Sequence, residues 1–268
     1  YPGRFFNVGI AEANMIGIAA GLALAGKVPF VSTYSAFVPG KCFDQIRNAV
    51  AYPNLDVKIV SSHGGLTVGP DGASHQTVED VAAMRAVPRM RVVVPADAPS
   101  TKVLVTRAAG IPGPFYIRLS RPNVPTIYSP GAELDVGTAN VLREGSDVSI
   151  VACGLLVNEA LEAADVLSKT GVRAEVVDSH TVKPLDAETI IRSARKTGAV
   201  VTAEEHNILG GLGGAVAEAV SETHPVPVRR VGVRDTFGES GEHQELMAKY
   251  GLTSKEVVQA AKTIVRAR

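Results

Sequence analysis

Two short segments combine residue types that can do acid–base and binding chemistry. The first is His63-Gly64-Gly65-Leu66-Thr67-Val68-Gly69-Pro70-Asp71-Gly72-Ala73-Ser74-His75-Gln76, with two histidines, one aspartate, four glycines and a proline. It follows an apolar, strand-like run and precedes a helix-like one, and loops in that position carry function more often than cores do. His75 can move protons near neutral pH, and Asp71 can accept hydrogen bonds from hydroxyl groups. A solvated surface loop is the plain alternative. Asp71 and His75 are metal-ligand types, but no further cluster completes a coordination shell, so no metal ligand is assigned.

The second segment is Gly9-Ile10-Ala11-Glu12-Ala13-Asn14-Met15, which runs into Ile16-Gly17-Ile18-Ala19-Ala20-Gly21-Leu22-Ala23. The helix after Glu12 is apolar on every face and dense in Gly and Ala, so it is expected to be buried, with small residues admitting a close neighbour. A carboxylate at the start of such a helix is costly unless paired or neutral. Desolvation should raise its pKa, while the helix N-terminus pulls it down. Glu12 is then either a buried acid that exchanges a proton with a ligand or a capping residue on a core helix.

Three weaker features accompany these. Tyr34 and Phe37, in a chain without Trp, can stack on a planar heterocycle or fill a core. Ile117-Arg118-Leu119-Ser120-Arg121-Pro122-Asn123 places guanidinium groups at a strand end, where they suit a phosphate or simply face solvent. Glu204-Glu205-His206 leads into a glycine-rich stretch, Gly210-Gly211-Leu212-Gly213-Gly214, that can form an anion site before a helix or serve close packing.

These residues need elements to position them. Strands are expected at Pro29–Ser32, Val57–Ser61, Arg91–Val94 and Phe115–Leu119, then at Val148–Cys153, Ala174–Asp178, Ala199–Thr202 and Val228–Val233. Helices are expected at Ala11–Ala25, Phe37–Ala51, Thr77–Ala86 and Ser100–Ala109, then at Val157–Lys169, Ala187–Lys196, Gly213–Glu222 and Ser254–Arg266. Continuous apolar strands alternating with helices imply an α/β fold with parallel sheets covered on both faces. Asp186 is a helix N-cap, Gly171 and Gly198 lie just past helix ends, and Pro99 sits at a helix entry. Thr77-Val78-Glu79-Asp80 resembles a capping box. The Pro- and Gly-bearing stretch Ser120 to Gly145 has weak periodicity and reads as a connection with one extended segment. The expected organisation is a domain over 1–125, a linker over 126–140 and a second domain over 141–268.

Composition narrows the function classes. The 268 residues are 46% hydrophobic, and charged residues cancel to zero net charge, without the basic face that nucleic acid requires. The most apolar stretch, Ile16 to Gly26, is far short of the ~20 residues that span a bilayer, and no secretory signal is present. Cys42 and Cys153 are far apart and point to a reducing cytoplasm. Beginning at Tyr1 rather than Met, the chain is expected to be a trimmed product or a fragment.

Taken together, the motifs resemble the pyrimidine-binding and C-terminal domains of transketolase over nearly the whole chain. The resemblance implies that Glu12 hydrogen-bonds the aminopyrimidine ring of thiamine diphosphate and favours its imino tautomer. Tyr34 and Phe37 fall where the family stacks aromatics on that ring, and the position of a common third aromatic is Gly40. His63, Asp71 and His75 match the family's loop, in which the first binds sugar phosphate, the second reads a substrate hydroxyl and the third assists proton transfer at the donor. Arg121 matches the family's phosphate arginine. The Gly-Asp-Gly motif that holds Mg²⁺ and the cofactor diphosphate is lacking, as are the strand and helix upstream of Gly9. By resemblance the chain is the C-terminal section of a split transketolase. It would work with an N-terminal subunit that binds most of the Mg²⁺ shell, as a heterotetramer with a homodimeric core acting on sugar phosphates.

Three other readings stay open. Deoxyxylulose-phosphate synthase shares the glutamate, but His63 and Asp71 favour transketolase. The beta subunit of a 2-oxoacid dehydrogenase fits the Asp71–His75 loop and the Leu119–Asn123 run less well. A non-catalytic partner of the same fold is disfavoured by intact Glu12 and His75.

Overall fold

The computed structural model describes residues 1–267 and groups the strands into two five-stranded sheets. In the first half β1 (Phe30–Tyr34), β2 (Lys58–Ser62), β3 (Arg91–Val93) and β4 (Phe115–Arg118) run parallel in the order β1-β2-β4-β3. In the second half β6 (Val148–Ala152), β7 (Ala174–Asp178), β9 (Val200–Asn207) and β10 (Val228–Val233) are parallel in the order β10-β9-β6-β7. Each sheet is closed at one edge by a short antiparallel strand, one of which lies in the Ser120 to Gly145 stretch where one extended segment was expected. These are β8 (Thr181–Lys183) against β3 and β5 (Asn140–Arg143) against β7. Both are too short to show alternation. β8 crosses from the second half to finish the sheet of the first.

The intervening helices are α1 (Glu12–Leu24), α2 (Pro39–Gln45), α3 (Asp80–Ala86) and α4 (Ala98–Ala109), then α5 (Leu156–Ser168), α6 (Ala187–Thr197), α7 (Leu212–Thr223), α8 (His243–Lys249) and α9 (Ser254–Arg266). Asp186 caps α6 through the Thr189 N–H, and Gly198 ends that helix in the left-handed region. Pro99 stands in the first turn of α4, where Asp97 and Ser100 form a reciprocal capping box. The box expected at Thr77–Asp80 does not form. Glu79 precedes α3 without a side-chain cap, and Asp80 turns inward to Arg118 and Tyr116. The helix expected from Phe37 begins at Pro39 and finishes as a π turn over Ile46–Ala51.

The largest departure concerns α1. Ile16, Ala19 and Ala20 are buried, yet Ala13, Asn14, Gly17, Ile18, Gly21 and Leu24 lie open. A helix apolar all round needs cover on every side, and this chain covers one.

The connection between the halves is tied down by two carboxylates. Asp97 accepts the backbone N–H groups of Ile127 and Tyr128, and the Tyr128 hydroxyl donates to Asp178 at 2.7 Å. Asp178 is fully buried, and burial, reinforced by Asp97 and opposed by the Tyr128 hydrogen bond, pushes its carboxyl up to about 7. With a folded pKa raised above its ordinary value of 3.8, the group favours the folded state most when protonated. Its contribution falls as pH rises from about 4 to 7 and is flat above. Asp178→Asn should therefore gain stability relative to the parent across that window, by on the order of 3 kcal/mol. Urea unfolding of both chains at pH 4.5 and pH 8 measures it, and an equal difference at the two pH values would refute it.

Candidate active site

The carboxyl ends of β1, β2 and β4 assemble the candidate residues at one sheet edge. This is where parallel α/β sheets bind ligands. The β1–β2 register pairs Tyr34 with Ser62. His63 follows with a left-handed φ of 60°, which folds its ring back onto Tyr34. The two rings stack at 3.9 Å between centroids. A turn closed by the Phe37 N–H on the Tyr34 carbonyl sets the Phe37 ring within 8° of parallel to Tyr34, at 6.1 Å. His75 meets the Phe37 ring edge-on at 5.2 Å. The aromatics are thus brought together by a strand end and a turn.

Glu12 reaches this cluster through Lys41. The Lys41 ammonium lies 2.8 Å from the Glu12 carboxylate and 5.1 Å from the Phe37 ring centroid. Glu12 is 7% exposed, yet its carboxyl is held below the ordinary range. The hydrogen bond from Lys41 is the main cause, followed by the backbone N–H at the helix start, with burial a smaller opposing effect. Of the two opposed effects expected at this helix start, the lowering one prevails, and Lys41 adds to it. The sequence pattern showed a desolvated helix start, but it did not reveal a cation 29 positions away.

On the other side of His63, Asp71 and Arg121 face each other at 3.6 Å, and Arg121 also donates to the Val68 carbonyl. Burial and then Arg121 lower the His63 pKa, against the pull of Asp71. The loop is not a uniform solvated turn. Leu66, Thr67, Val68 and Gly69 form a buried 3-10 segment, and only its flanks open outward. The Gln76 amide donates to the carbonyls of Leu66, Gly69 and Glu239. Arg118 does not face a ligand. It is 3% exposed and donates to Asp80 at 2.9 Å and to the Glu205 carbonyl at 2.8 Å.

The glycine-rich stretch before α7 resolves to packing. Glu204 accepts the backbone N–H groups of Leu212 and Gly213, both at 2.7 Å, so the helix N-terminus already holds an anion from its own chain. Among the described residues no group of three or more His, Cys, Asp or Glu is placed to hold a metal ion. A groove of 390 Å³ runs between the start of α4 and the Leu119–Val124 segment, and one of 430 Å³ lies along Glu188 and Arg192; neither is lined by the candidate residues.

Family models match both halves of the chain. The transketolase pyrimidine binding domain matches residues 1–126, and the transketolase C-terminal domain matches residues 137–257. The chain belongs to the transketolase family. Members of this family depend on thiamine diphosphate. The chain is 50% identical over 260 residues to the 6-deoxy-6-sulfo-D-fructose transketolase subunit SqwH of Clostridium sp. (strain MSTE9), covering 97% of this chain and 81% of that one. It is 38% identical to an apulose-4-phosphate transketolase subunit of Phocaeicola vulgatus, covering 99% of this chain and 85% of that one. A solved split gene transketolase, described as an inactive beta4 tetramer, superposes with a TM-score of 0.94 at 52% identity, covering 99% of this chain and 85% of that one.

Sequence reasoning did not single out Lys41 or Gln76, and it chose Arg121 over Arg118 without assigning Arg118 a role. A signal for Arg118 was available. A charged residue inside an apolar strand run must be paired when buried, and its residue type alone did not name Asp80 as the partner.

Proposed function

We propose that this chain carries the pyrimidine half of a thiamine diphosphate site and transfers a two-carbon ketol unit between sugar phosphates. One observation carries the reading: Glu12, the Tyr34–Phe37–His63–His75 ring cluster and the Asp71–Arg121 pair share a single sheet edge. An aromatic face beside a carboxylate fits an aminopyrimidine, and Gly40 leaves open space where a Cβ meets nothing within 4 Å.

Thiamine diphosphate, when bound, would supply the electron sink that ketol transfer requires. The chain's own residues do the rest. Glu12 would hydrogen-bond the aminopyrimidine ring and hold the proton shared with it. Tyr34 and Phe37 orient the ring. His75 takes and returns the donor hydroxyl proton. Asp71 accepts from a substrate hydroxyl, while Arg121 and His63 hold the terminal anion.

The diphosphate and its Mg²⁺ fall to an N-terminal partner subunit, in a heterotetramer with a homodimeric core. The open apolar face of α1 supports this, as do the exposed Tyr1, Phe5, Phe6 and Ile10, because such surface marks an interaction site. Two buried free thiols agree with work in the cytoplasm.

The test mixes the chain with its N-terminal partner, thiamine diphosphate and Mg²⁺, and follows ketol transfer from xylulose 5-phosphate to ribose 5-phosphate. Transfer only in the mixture supports the reading. No transfer by a stable mixture overturns it, and turnover only with pyruvate points to the synthase or dehydrogenase relatives. Since a relative is named for 6-deoxy-6-sulfofructose, that donor is compared directly, and a strong preference for it replaces phosphate by sulfonate at Arg121. Arg121→Ala is expected to raise KM for phosphorylated donors roughly 10- to 100-fold with kcat little changed, the signature of lost uniform binding. An unchanged preference for phosphorylated over free sugars would remove Arg121 from that role.

A further inference from the structure

The second domain reaches into the substrate-facing loop through one side chain. Glu205 stands near the carboxyl end of β9 and is 3% exposed. One of its carboxylate oxygens accepts the Thr67 N–H at 2.7 Å. The other lies 3.9 Å from an Arg118 nitrogen and is buried without a hydrogen-bond partner among the described residues.

The loop backbone is moulded around these two side chains. A Cβ on Gly65 would fall 2.2 Å from the Glu205 carboxyl carbon, and its φ of 90° is one that only glycine adopts readily. A Cβ on Gly64 would fall 2.5 Å from Arg118 Nε. Thr67 is midway between His63 and Asp71, so this one hydrogen bond lies at the centre of the segment that presents both. The same segment rests on the second domain at Gly69, whose Cβ would approach the Gly241 carbonyl to 3.2 Å.

We propose that Glu205 is a positioning residue: by accepting the Thr67 N–H it sets the backbone from His63 to Asp71, so the second domain helps hold the sugar phosphate. This deepens, and rests on, the reading of the loop as the substrate-binding face. What matters is the reach of the acceptor oxygen rather than full charge. Burial pushes the Glu205 carboxyl up to about 7 against the pull of Arg118, and Arg118 is already neutralised by Asp80. A glutamine keeps the acceptor in place, an aspartate withdraws it by one methylene, and an alanine removes it.

Three variants in the assembled enzyme test this. Glu205→Ala and Glu205→Asp are expected to raise KM for phosphorylated substrates roughly 10- to 100-fold, because small misplacements of binding groups are costly. Thiamine diphosphate affinity should be unchanged, and Glu205→Gln should stay within about threefold of the parent on every measure. A merely structural glutamate would lower unfolding temperature without separating Asp from Gln in KM. If Glu205→Ala does not assemble, the Asp and Gln pair still decides.

The ring NMR signals of His63 and His75 give a readout independent of turnover. They should move in the Asp variant of the isolated chain, and their perturbation by inorganic phosphate should weaken, while the Gln variant matches the parent. Failure of the functional reading shows as no ketol transfer by the parent assembly. Failure of this inference shows as unmoved KM and unmoved ring signals in Glu205→Asp.

Discussion

Replacing Glu12 with Ala is expected to reduce ketol transfer roughly 10²- to 10⁴-fold, the usual range for loss of a positioned acid–base group, while leaving the assembly intact. The side chain sits at the first residue of α1, where the helix dipole favours its ionised form and Lys41 adds a hydrogen bond at 2.8 Å. An aminopyrimidine nitrogen offered to Glu12 competes with Lys41 for the same carboxylate, and sharing a proton with that nitrogen requires the acid form to become accessible. Glu12→Gln keeps the size but cannot exchange the proton, so it should lose nearly as much turnover as the alanine. The structural cost is small, because Lys41 is itself largely exposed and regains water. Turnover measured beside sedimentation of the assembly separates the two effects. A Glu12→Ala assembly that works within about threefold of the parent would refute the acid–base role and favour a non-catalytic partner of the same fold.

The second large effect falls on stability. Arg118 is enclosed between Asp80 and Glu205, and the Tyr116 hydroxyl donates to Asp80 at 2.6 Å. Burial works against the guanidinium charge, but Asp80 and Glu205 more than restore it. Arg118→Met leaves the Asp80 carboxylate buried beside the Tyr116 hydroxyl without its cation, and Asp80→Asn leaves the guanidinium with only the more distant Glu205 carboxylate, at 3.9 Å, to offset its charge. Each is expected to cost about 3–5 kcal/mol, the range for removing one partner of a buried ion pair. The double variant should lose clearly less than the sum, because neither charge is then left behind. Urea unfolding of the four chains measures the coupling, and strict additivity would show that Arg118 and Asp80 do not stabilise each other.

These two sites differ in how far the sequence exposes them. Glu12 is visible because a carboxylate at the head of an all-apolar helix is an anomaly within one local window. The parallel strands are visible for the same reason, since continuous Val and Ile runs are local signals: Ala174–Asp178 and Val228–Val233 have the expected bounds. The edge strand β8 is not visible, because three residues carry no period and their reason to be extended is a neighbour elsewhere in the chain, whereas β5 falls in the Ser120 to Gly145 stretch where one extended segment was expected without its bounds or partner. Asp80 illustrates the limit. Its local context suggests a helix start, and the stronger attraction of Arg118, 38 positions later, takes its side chain into the core.

The sequence by itself determined the alternation of strand and helix, the glycine-rich loop that bears His63, Asp71 and His75, and the apolar character of α1. All three are written in short-range pattern and residue type. Only the tertiary structure decided that Lys41 lowers the Glu12 pKa, that Tyr34 stacks on His63, that Arg118 is structural while Arg121 faces Asp71, and that Glu205 of one domain grips the loop of the other. Each of these is a contact between positions far apart in the chain, and its energy depends on distance and desolvation, which only the folded backbone supplies.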